Sequence, residues 1–341
     1  MGRQAWALVA LALGMARVAC ADTAGELLEH YKQASGGVRW DGVTGLRSEG
    51  SLTAGGLAGS FTALQDLASG RSVMRYRLGP VEGADGYDGK LAWSQDPGGE
   101  VTALDAPEAQ RRARSQAWLD ARAYWYPARL AATYAAPEAR EAEGHRYTVV
   151  VATPAGGDPV TLWFDPRTHL LVRTEQKQGA DRATTVYDDW REVDGLRLPF
   201  HTISFLTDAA GRTDARNRSE TSATHIALDA ALADADFAMP AMTANARILA
   251  PGGVARVPFE LVNNHIYARG ARFLVDTGGM NLLTPAAAAK FGLAPEGKLP
   301  GRGVGEETVD VAMAHAREVR LGEAVLDKPV FFVMDLGKLP A

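Results

Sequence analysis

Cysteine is nearly absent from the sequence, because Cys20 is the only one among 341 residues. A single thiol excludes disulfide bonds within the chain and metal sites built from several cysteines. An excess of basic residues is also missing, since the formal net charge is -5 and the isoelectric point is about 5.9. Lys and Arg are dispersed along the chain, so we expect no nucleic acid partner.

Long apolar runs are missing as well. Residues 5–16 are apolar, but this stretch is shorter than the roughly 20 residues that cross a bilayer, and Arg17 follows it closely. Arg3 precedes the stretch and the small residues Ala19-Cys20-Ala21 end it. This order of a cationic start, an apolar centre and small residues is typical of a secretory signal peptide.

We expect signal cleavage between Ala21 and Asp22, which makes the mature protein periplasmic or secreted and leaves it without a thiol. The alternative is lipoprotein anchoring through Cys20. Arg17 disfavours it, because that signal normally has an aliphatic residue there.

The remaining composition is that of an ordinary globular protein. Apolar residues make up 46% of the chain and charged residues 23%, which argues against disorder. The 36 glycines follow no triplet period, which excludes a collagen-like helix. A length of 341 residues exceeds the usual size of one domain, so we expect two.

Alternating patterns predict strands in the first part of the chain. Apolar residues alternate with arginines over residues 74–78, as in a sheet with one wet face. Residues 147–151 and 160–164 follow similar patterns. The turn signal at 165–168 and the apolar return at 170–173 predict a hairpin.

Two segments predict helices. Residues 24–34 place leucines and a tyrosine on one helical face before a pair of glycines. Residues 107–136 are rich in Ala, Arg and aromatic side chains, including Trp118. We favour helices that cover one face of the sheet, and an aromatic ligand cradle is the alternative.

Three sequence segments are more specific than an alternating pattern. They are Gly-Tyr-Asp-Gly-Lys-Leu-Ala-Trp at 86–93 and the succession of predicted strands and tight turns at 163–173 and 187–199. Together they resemble the outer-membrane lipoprotein carrier and sorting family, over about residues 24–240. The resemblance implies an N-terminal α+β domain, a curved antiparallel sheet forming a half-barrel with packed helices. In that family the concavity shelters acyl chains, so a lipid or acyl chain is a possible partner; a concavity filled by the protein's own side chains is the alternative.

The predicted domain order is a signal peptide at 1–21, the half-barrel at 22–240, a linker at 241–253 and a second domain at 254–341. The linker contains the breaker Pro251-Gly252-Gly253. Two apolar strands are expected at the start of the second domain.

The second of these strands runs directly into Asp276-Thr277-Gly278-Gly279. Thr284 follows as a helix N-cap with proline at the next position, so the loop is expected to lie between a strand and a helix. A structural interpretation of Asp276 as the cap of an Asx turn stays open beside the chemical one.

The motif in this context resembles the retropepsin-like aspartic peptidases, over about residues 254–341, which implies an all-β acid protease domain. It implies that Asp276 is catalytic, that Thr277 ties paired loops together and that Gly278 permits the tight turn. Gly279 stands where the family commonly has alanine. Because the chain has one Asp-Thr-Gly, a working site requires a homodimer with one Asp276 from each protomer.

The glycine-rich bend Gly301, Gly303, Val304 and Gly305 is the candidate flap over this site. Family members have a later segment of two aliphatic residues and a glycine, which is not found before Ala341, so we expect the second domain to be C-terminally incomplete.

The seven histidines are scattered without metal-binding spacing, and we expect neither a metal nor another cofactor. Two hypotheses remain: an exported aspartic endopeptidase acting on a peptide or protein, or a periplasmic lipid- or peptide-binding module with an inactive peptidase-like lobe.

Overall fold

The computed structural model describes residues 23–79, 81–96, 99–242, 245–262, 265–268, 273–274, 281–302 and 308–335. The described α-helices are α1 Ala24–Ser35, α2 Pro107–Asp120, α3 Asp234–Phe237 and α4 Pro285–Lys290. The strands of the N-terminal domain are β1 Gly45–Ala54, β2 Leu57–Asp66, β3 Ser72–Leu78, β4 Val81–Tyr87, β5 Ala92–Gln95, β6 Val101–Ala103, β7 Ala132–Tyr134, β8 Glu138–Ala142, β9 His145–Pro154, β10 Val160–Phe164, β11 Leu171–Gln178, β12 Asp181–Val193, β13 Leu196–Thr207 and β14 Ser219–Leu228. The strands of the C-terminal domain are β15 Ala246–Ile248, β16 Phe259–Val262, β17 His265–Ala268, β18 Phe273–Leu274, β19 Leu282–Leu283, β20 Glu296–Arg302, β21 Thr308–His315, β22 Glu318–Leu321, β23 Ala324–Asp327 and β24 Val330–Val333.

Within the described residues, β1 to β14 form one large curved antiparallel sheet. Its order in space is β6-β5-β4-β3-β2-β1-β14-β13-β12-β11-β10-β9-β7, and β8 also pairs with β9. Strands β1 and β14 therefore pair at the middle of the sheet, although they lie at opposite ends of the domain in sequence. The predicted curved sheet with helices is confirmed.

Helix α1 begins with a capping box. The Glu26 N–H donates to Thr23 Oγ1 at 3.3 Å, and the Thr23 N–H donates to Glu26 Oε2 at 2.7 Å. Leu27 and Leu28 are buried on the face that the sequence pattern predicts. The helix ends at Gly36, whose φ of 134° favours glycine.

The predicted hairpin over residues 160–173 is present, and aspartate side chains stabilise its turn and the turn between β4 and β5. Asp165 Oδ1 accepts the N–H of Arg167 at 2.7 Å between β10 and β11. Asp88 Oδ1 accepts the N–H groups of Lys90 and Leu91, both at 2.7 Å, between β4 and β5. Short side chains that bond the backbone two or three residues on are typical of such turns.

The main core of the N-terminal domain lies between the helices and the second half of the sheet. Its largest fully buried side chains include Trp118 from α2 and Leu162 and Phe164 from β10. Burial of each large apolar side chain contributes roughly 1.5–3 kcal/mol. The helical prediction for residues 107–136 is right for residues 107–120, where Trp118 packs in this core with no exposed surface. It is wrong for the end of that segment, because residues 132–134 form β7 and pair with β9.

The described strands of the C-terminal domain form three small sheets, with the orders β15-β23-β22, β16-β17-β18 and β19-β24-β21-β20. Residues 246–248, inside the segment predicted as a linker, pair with residues 324–326 of β23 and so add a strand to the first of these sheets. The domain boundaries stay a prediction.

The C-terminal domain packs on the hairpin between β1 and β2. One apolar cluster contains buried side chains of both domains: Leu52, Leu57, Phe61, Leu78 and Val81 from the N-terminal sheet, and Met313 and Val330 from the C-terminal domain. The Lys298 N–H donates to the Gly55 carbonyl oxygen at 2.5 Å. Arg216 Nη1 donates to Asp310 Oδ1 at 2.9 Å. Apolar contact, a backbone hydrogen bond and an ion pair thus join the two domains.

Candidate functional sites

The predicted catalytic loop lies between β18 and β19. Asp276, Thr277, Gly278 and Gly279 are outside the described residues, as are the predicted cleavage residues Ala21 and Asp22. Their roles stay predictions.

The residues that follow the loop are held firmly. The Phe332 N–H donates to the Asn281 carbonyl oxygen at 2.8 Å, and the Met334 N–H donates to the Leu283 carbonyl oxygen at 3.1 Å. Strand β19 therefore pairs in parallel with β24. The Asn281 side chain also donates to the Val330 carbonyl oxygen at 3.3 Å. Sequence reasoning did not single out Asn281, and its place directly before an apolar pair offers little signal.

Helix α4 follows β19 as predicted. Thr284 Oγ1 accepts the Ala287 N–H at 3.2 Å, and Pro285 occupies the first helical position. Ala288 packs with Leu283 and other buried side chains of this domain. These contacts fix the strand and helix that follow the predicted catalytic loop.

The candidate flap is described in part. Gly301 lies in β20 and pairs with Val309 of β21, so the two strands form an antiparallel hairpin around this segment. Gly303, Val304 and Gly305 lie outside the described residues. Two residues of these strands, Lys298 of β20 and Asp310 of β21, contact the N-terminal domain.

A second candidate site is a cavity of about 690 Å³ in the concave side of the large sheet. Its wall combines aromatic, aliphatic and polar side chains from both helices and from both halves of the sheet. Such a volume is in the range of small-molecule sites.

Two charged residues at the end of α2 line this cavity, Asp120 and Arg122. Asp120 is 5% exposed, and its Oδ1 accepts the amide groups of Gln65 at 2.9 Å and Gln116 at 3.0 Å. Burial raises the pKa of Asp120, although the Arg122 charge and the amide donors oppose that shift. Arg122 has a φ of 51° and donates from Nη1 to the Leu119 carbonyl oxygen at 3.0 Å.

Three tyrosines surround the Arg122 charge. Burial raises the pKa of Tyr31 and Tyr124 and raises that of Tyr187 to about 12. All three hydroxyls are therefore protonated at neutral pH. Tyr31 and Tyr124 belong to the apolar core as well as to the cavity wall, so the residues of the predicted aromatic segment serve packing and also border a site.

Sequence reasoning missed Asp120 and Arg122. They follow an apolar helix face, and a charged residue at a helix end is ordinarily a solvated one. Their burial depends on strands that are distant in sequence. In the described part of the chain, no group of three or more His, Cys, Asp or Glu side chains is placed to hold a metal. The described helices include none that is both long and apolar enough to span a membrane.

A comparison with known protein families gives a match in the C-terminal part of the chain. Residues 261–341 match the sequence model of the aspartyl protease family. No curated protein matches the chain. Among solved structures, the LolA superfamily protein NE2245 from Nitrosomonas europaea aligns over 64% of this chain and 98% of its own, with 15% identity and a TM-score of 0.43. The MucA/MucB complex of Pseudomonas aeruginosa aligns over 92% of this chain and 94% of its own, with 12% identity and a TM-score of 0.20.

The C-terminal domain is therefore aspartyl protease-like, as the Asp-Thr-Gly motif predicts. The family match covers the C-terminal part of the chain alone.

Proposed function

We propose that the protein is an exported aspartic endopeptidase that hydrolyses peptide bonds in a peptide or protein substrate. The observation that carries this proposal is the aspartyl protease match over residues 261–341, because it contains Asp276-Thr277-Gly278. The strand and helix that follow the motif, β19 and α4, support it. Export rests on the predicted signal peptide.

The proposed chemistry requires two carboxylates. Two carboxyl groups a few Å apart cannot both ionise cheaply, so they share one proton. One carboxylate then accepts a proton from a bound water that attacks the scissile carbonyl carbon, while the other carboxyl donates its proton to the carbonyl oxygen. Asp276 of each protomer in a homodimer would supply one of the two groups.

Peptide cleavage tests the proposal. The purified protein is incubated with unfolded substrate proteins across an acidic to neutral pH series, and the products are identified by mass spectrometry. We expect cleavage that is lost in Asp276→Asn and in the presence of pepstatin. Asp208→Asn is the matched control, because Asp208 lies in a turn of the N-terminal domain and bonds Arg212. Cleavage that persists in Asp276→Asn would refute the assignment.

The homodimer has its own test. Sedimentation equilibrium gives the dimer dissociation constant, and the specific activity is measured across the same concentrations. Activity should fall in parallel with the dimer fraction, because a monomer has one Asp276. Constant specific activity in samples that sediment as monomers would contradict the shared site.

A second candidate function is a periplasmic binding module with an inactive peptidase-like domain. The observation that favours it is the cavity of about 690 Å³ in the half-barrel. It predicts no proteolysis, lipid that co-purifies with the protein, and binding of a fluorescent fatty acid by the delipidated protein. Absence of both co-purifying lipid and fatty-acid binding would argue against this function.

A further inference from the structure

The cavity of the half-barrel is lined by both apolar and hydroxyl side chains. Leu52, Phe61 and Met74 line it from β1, β2 and β3. On the other side, strands β11 to β14 contribute six Ser and Thr side chains and Tyr187, beside apolar residues that include Leu171, Trp190 and Phe200. An acyl chain alone would be a poor ligand for these hydroxyls, because it would remove them from water without offering a hydrogen-bond partner.

Strand register aligns these hydroxyls in two rows across the sheet. The first row pairs Thr174 with Thr185, Thr185 with Ser204 and Ser204 with Ser219. The second row pairs Tyr187 with Thr202 and Thr202 with Thr221, and Leu52 of β1 lies opposite Thr221. The polar surface thus spans four neighbouring strands and meets the apolar wall at β1.

Part of this surface has unused hydrogen-bonding capacity. Thr185 Oγ1 and Ser204 Oγ bond each other at 3.1 Å, and Thr174 Oγ1 bonds the Tyr187 hydroxyl at 3.2 Å. Among the described residues, the hydroxyls of Thr202, Ser219 and Thr221 form no hydrogen bond with one another or with a third group. They are available to a ligand.

The charges around the cavity are mainly positive, although the whole chain has a net charge of -5. The charged lining residues are Arg112, Asp120, Arg122, Lys177 and Arg197. Arg112 lies 3.9 Å from Glu108. Arg122, Lys177 and Arg197 form no ion pair with a described carboxylate. The Asp120 Oδ1 already accepts hydrogen bonds from two amide groups.

Arg122 is the candidate anchor for an anion in this cavity. Its guanidinium lies 5.7 Å from the centre of the Trp40 ring, which also lines the cavity. Tyr31, Tyr124 and Tyr187 also line the cavity, and burial raises the pKa of all three hydroxyls, so they stay protonated. Tyr31 and Tyr124 hydrogen-bond each other, and Tyr187 bonds Thr174. A guanidinium beside hydroxyl donors is well suited to phosphate or carboxylate oxygens.

We propose that this cavity binds an amphiphile with an acidic, hydroxylated head group. The acidic group lies at Arg122, the head-group hydroxyls meet Thr202, Ser219 and Thr221, and the tail packs on the apolar side chains of β1 to β3. This inference rests on the binding function proposed above and names its ligand class.

Three lipids with the same acyl chain test it: 1-myristoyl lysophosphatidylglycerol, 1-myristoyl lysophosphatidylcholine and 1-monomyristoylglycerol. Each is titrated below its micelle concentration into the delipidated full-length protein, and the dissociation constant is measured by calorimetry. We expect lysophosphatidylglycerol to bind about tenfold or more tightly than the other two, since only it combines net negative charge with glycerol hydroxyls.

The variants assign the effect to residues. Arg122→Gln should remove most of the preference for lysophosphatidylglycerol over monomyristoylglycerol, whereas Arg111→Gln, whose side chain pairs with Asp158, should keep it. Thr202→Val should weaken both glycerol lipids several-fold. Thr184→Val is its matched control, because Thr184 is buried on β12 and does not line the cavity. If Arg122→Gln does not fold, the comparison of Thr202→Val with Thr184→Val still tests the assignment of the head-group hydroxyls.

The outcomes separate this inference from the function it rests on. Equal affinity for all three lipids, or tightest binding of lysophosphatidylcholine, overturns the head-group assignment and leaves the binding function standing. If monomyristoylglycerol binds as tightly as lysophosphatidylglycerol, the assignment of an acidic head group to this cavity is wrong. Failure of all three lipids, and of a fluorescent fatty acid, to bind refutes the binding function itself.

Discussion

Replacing Gly55 by alanine is expected to weaken the contact between the two domains, whereas the same change at Gly56 is not. Both glycines form the two-residue turn between β1 and β2, with φ values of 56° and 74°. A Cβ atom on Gly55 would lie 2.3 Å from Leu299 Cδ2, but one on Gly56 would have no neighbour closer than the Lys298 nitrogen at 3.5 Å. The two variants therefore share backbone strain and differ in one steric clash.

The expected magnitudes follow from these two effects. Alanine in the left-handed region costs roughly 1–2 kcal/mol at either position. Leu299 packs against the apolar cluster shared by the two domains, so displacing it from Gly55→Ala adds an overpacking cost of roughly 1–3 kcal/mol. Gly55→Ala should therefore lower the free energy of unfolding by at least about 1 kcal/mol more than Gly56→Ala does.

Urea unfolding measures these free energies, and amide hydrogen exchange at Lys298 reports on the contact directly, because this N–H donates to the Gly55 oxygen. Faster exchange at Lys298 is expected in Gly55→Ala alone. Leu299→Ala removes the atoms that clash, so in that background the two glycine variants should become equal. If Gly55→Ala and Gly56→Ala match in the wild-type background, and Leu299→Ala couples to neither, the proposed contact is wrong.

Three further predictions concern buried side chains of the N-terminal domain. Phe164→Ala should lower the free energy of unfolding by roughly 3–5 kcal/mol in urea, because the ring has 0% exposure; a loss below about 1 kcal/mol would contradict the packing. Ser115→Ala should cost roughly 1–3 kcal/mol in the same assay, because Ser115 Oγ donates to the Asp158 carbonyl oxygen and accepts its N–H, both at 2.8 Å; an unchanged midpoint would count against these bonds. Asp120 has a pKa raised from 3.8, so the folded state holds its proton more tightly than the unfolded state and this residue's contribution to stability falls as the pH rises above that value. The stability of Asp120→Asn relative to wild type should therefore increase as the pH rises above about 4, and a constant difference would refute the burial argument.

Much of the secondary structure could be predicted because its causes are local. The capping residues of α1, the aspartate turn at Asp165 and the Thr284-Pro285 start of α4 each depend on neighbours within about four residues. Alternation of apolar and polar residues likewise indicates strands without knowledge of their partners.

The two candidate sites differ in the same way, because only one of them depends on residues that are adjacent in sequence. A short motif with a known chemical role identifies Asp276 and its family, since the residues that matter are adjacent in sequence. No sequence motif identifies Arg122, because two of the three tyrosines around it, Tyr31 of α1 and Tyr187 of β12, are distant in sequence. The free hydroxyls of β13 and β14 are ordinary strand residues until register places them side by side.

The sequence by itself therefore determined the local elements, the export signal as a prediction and the aspartyl protease motif. Only the tertiary structure decided that β1 pairs with β14, that residues 246–248 pair with 324–326, and that the β1–β2 turn supports the C-terminal domain. Local signals arise from bonds between neighbours in the chain. A cavity, a domain contact and a row of aligned hydroxyls require strands far apart in sequence to meet in one register, and that choice is made by the packing of the whole core.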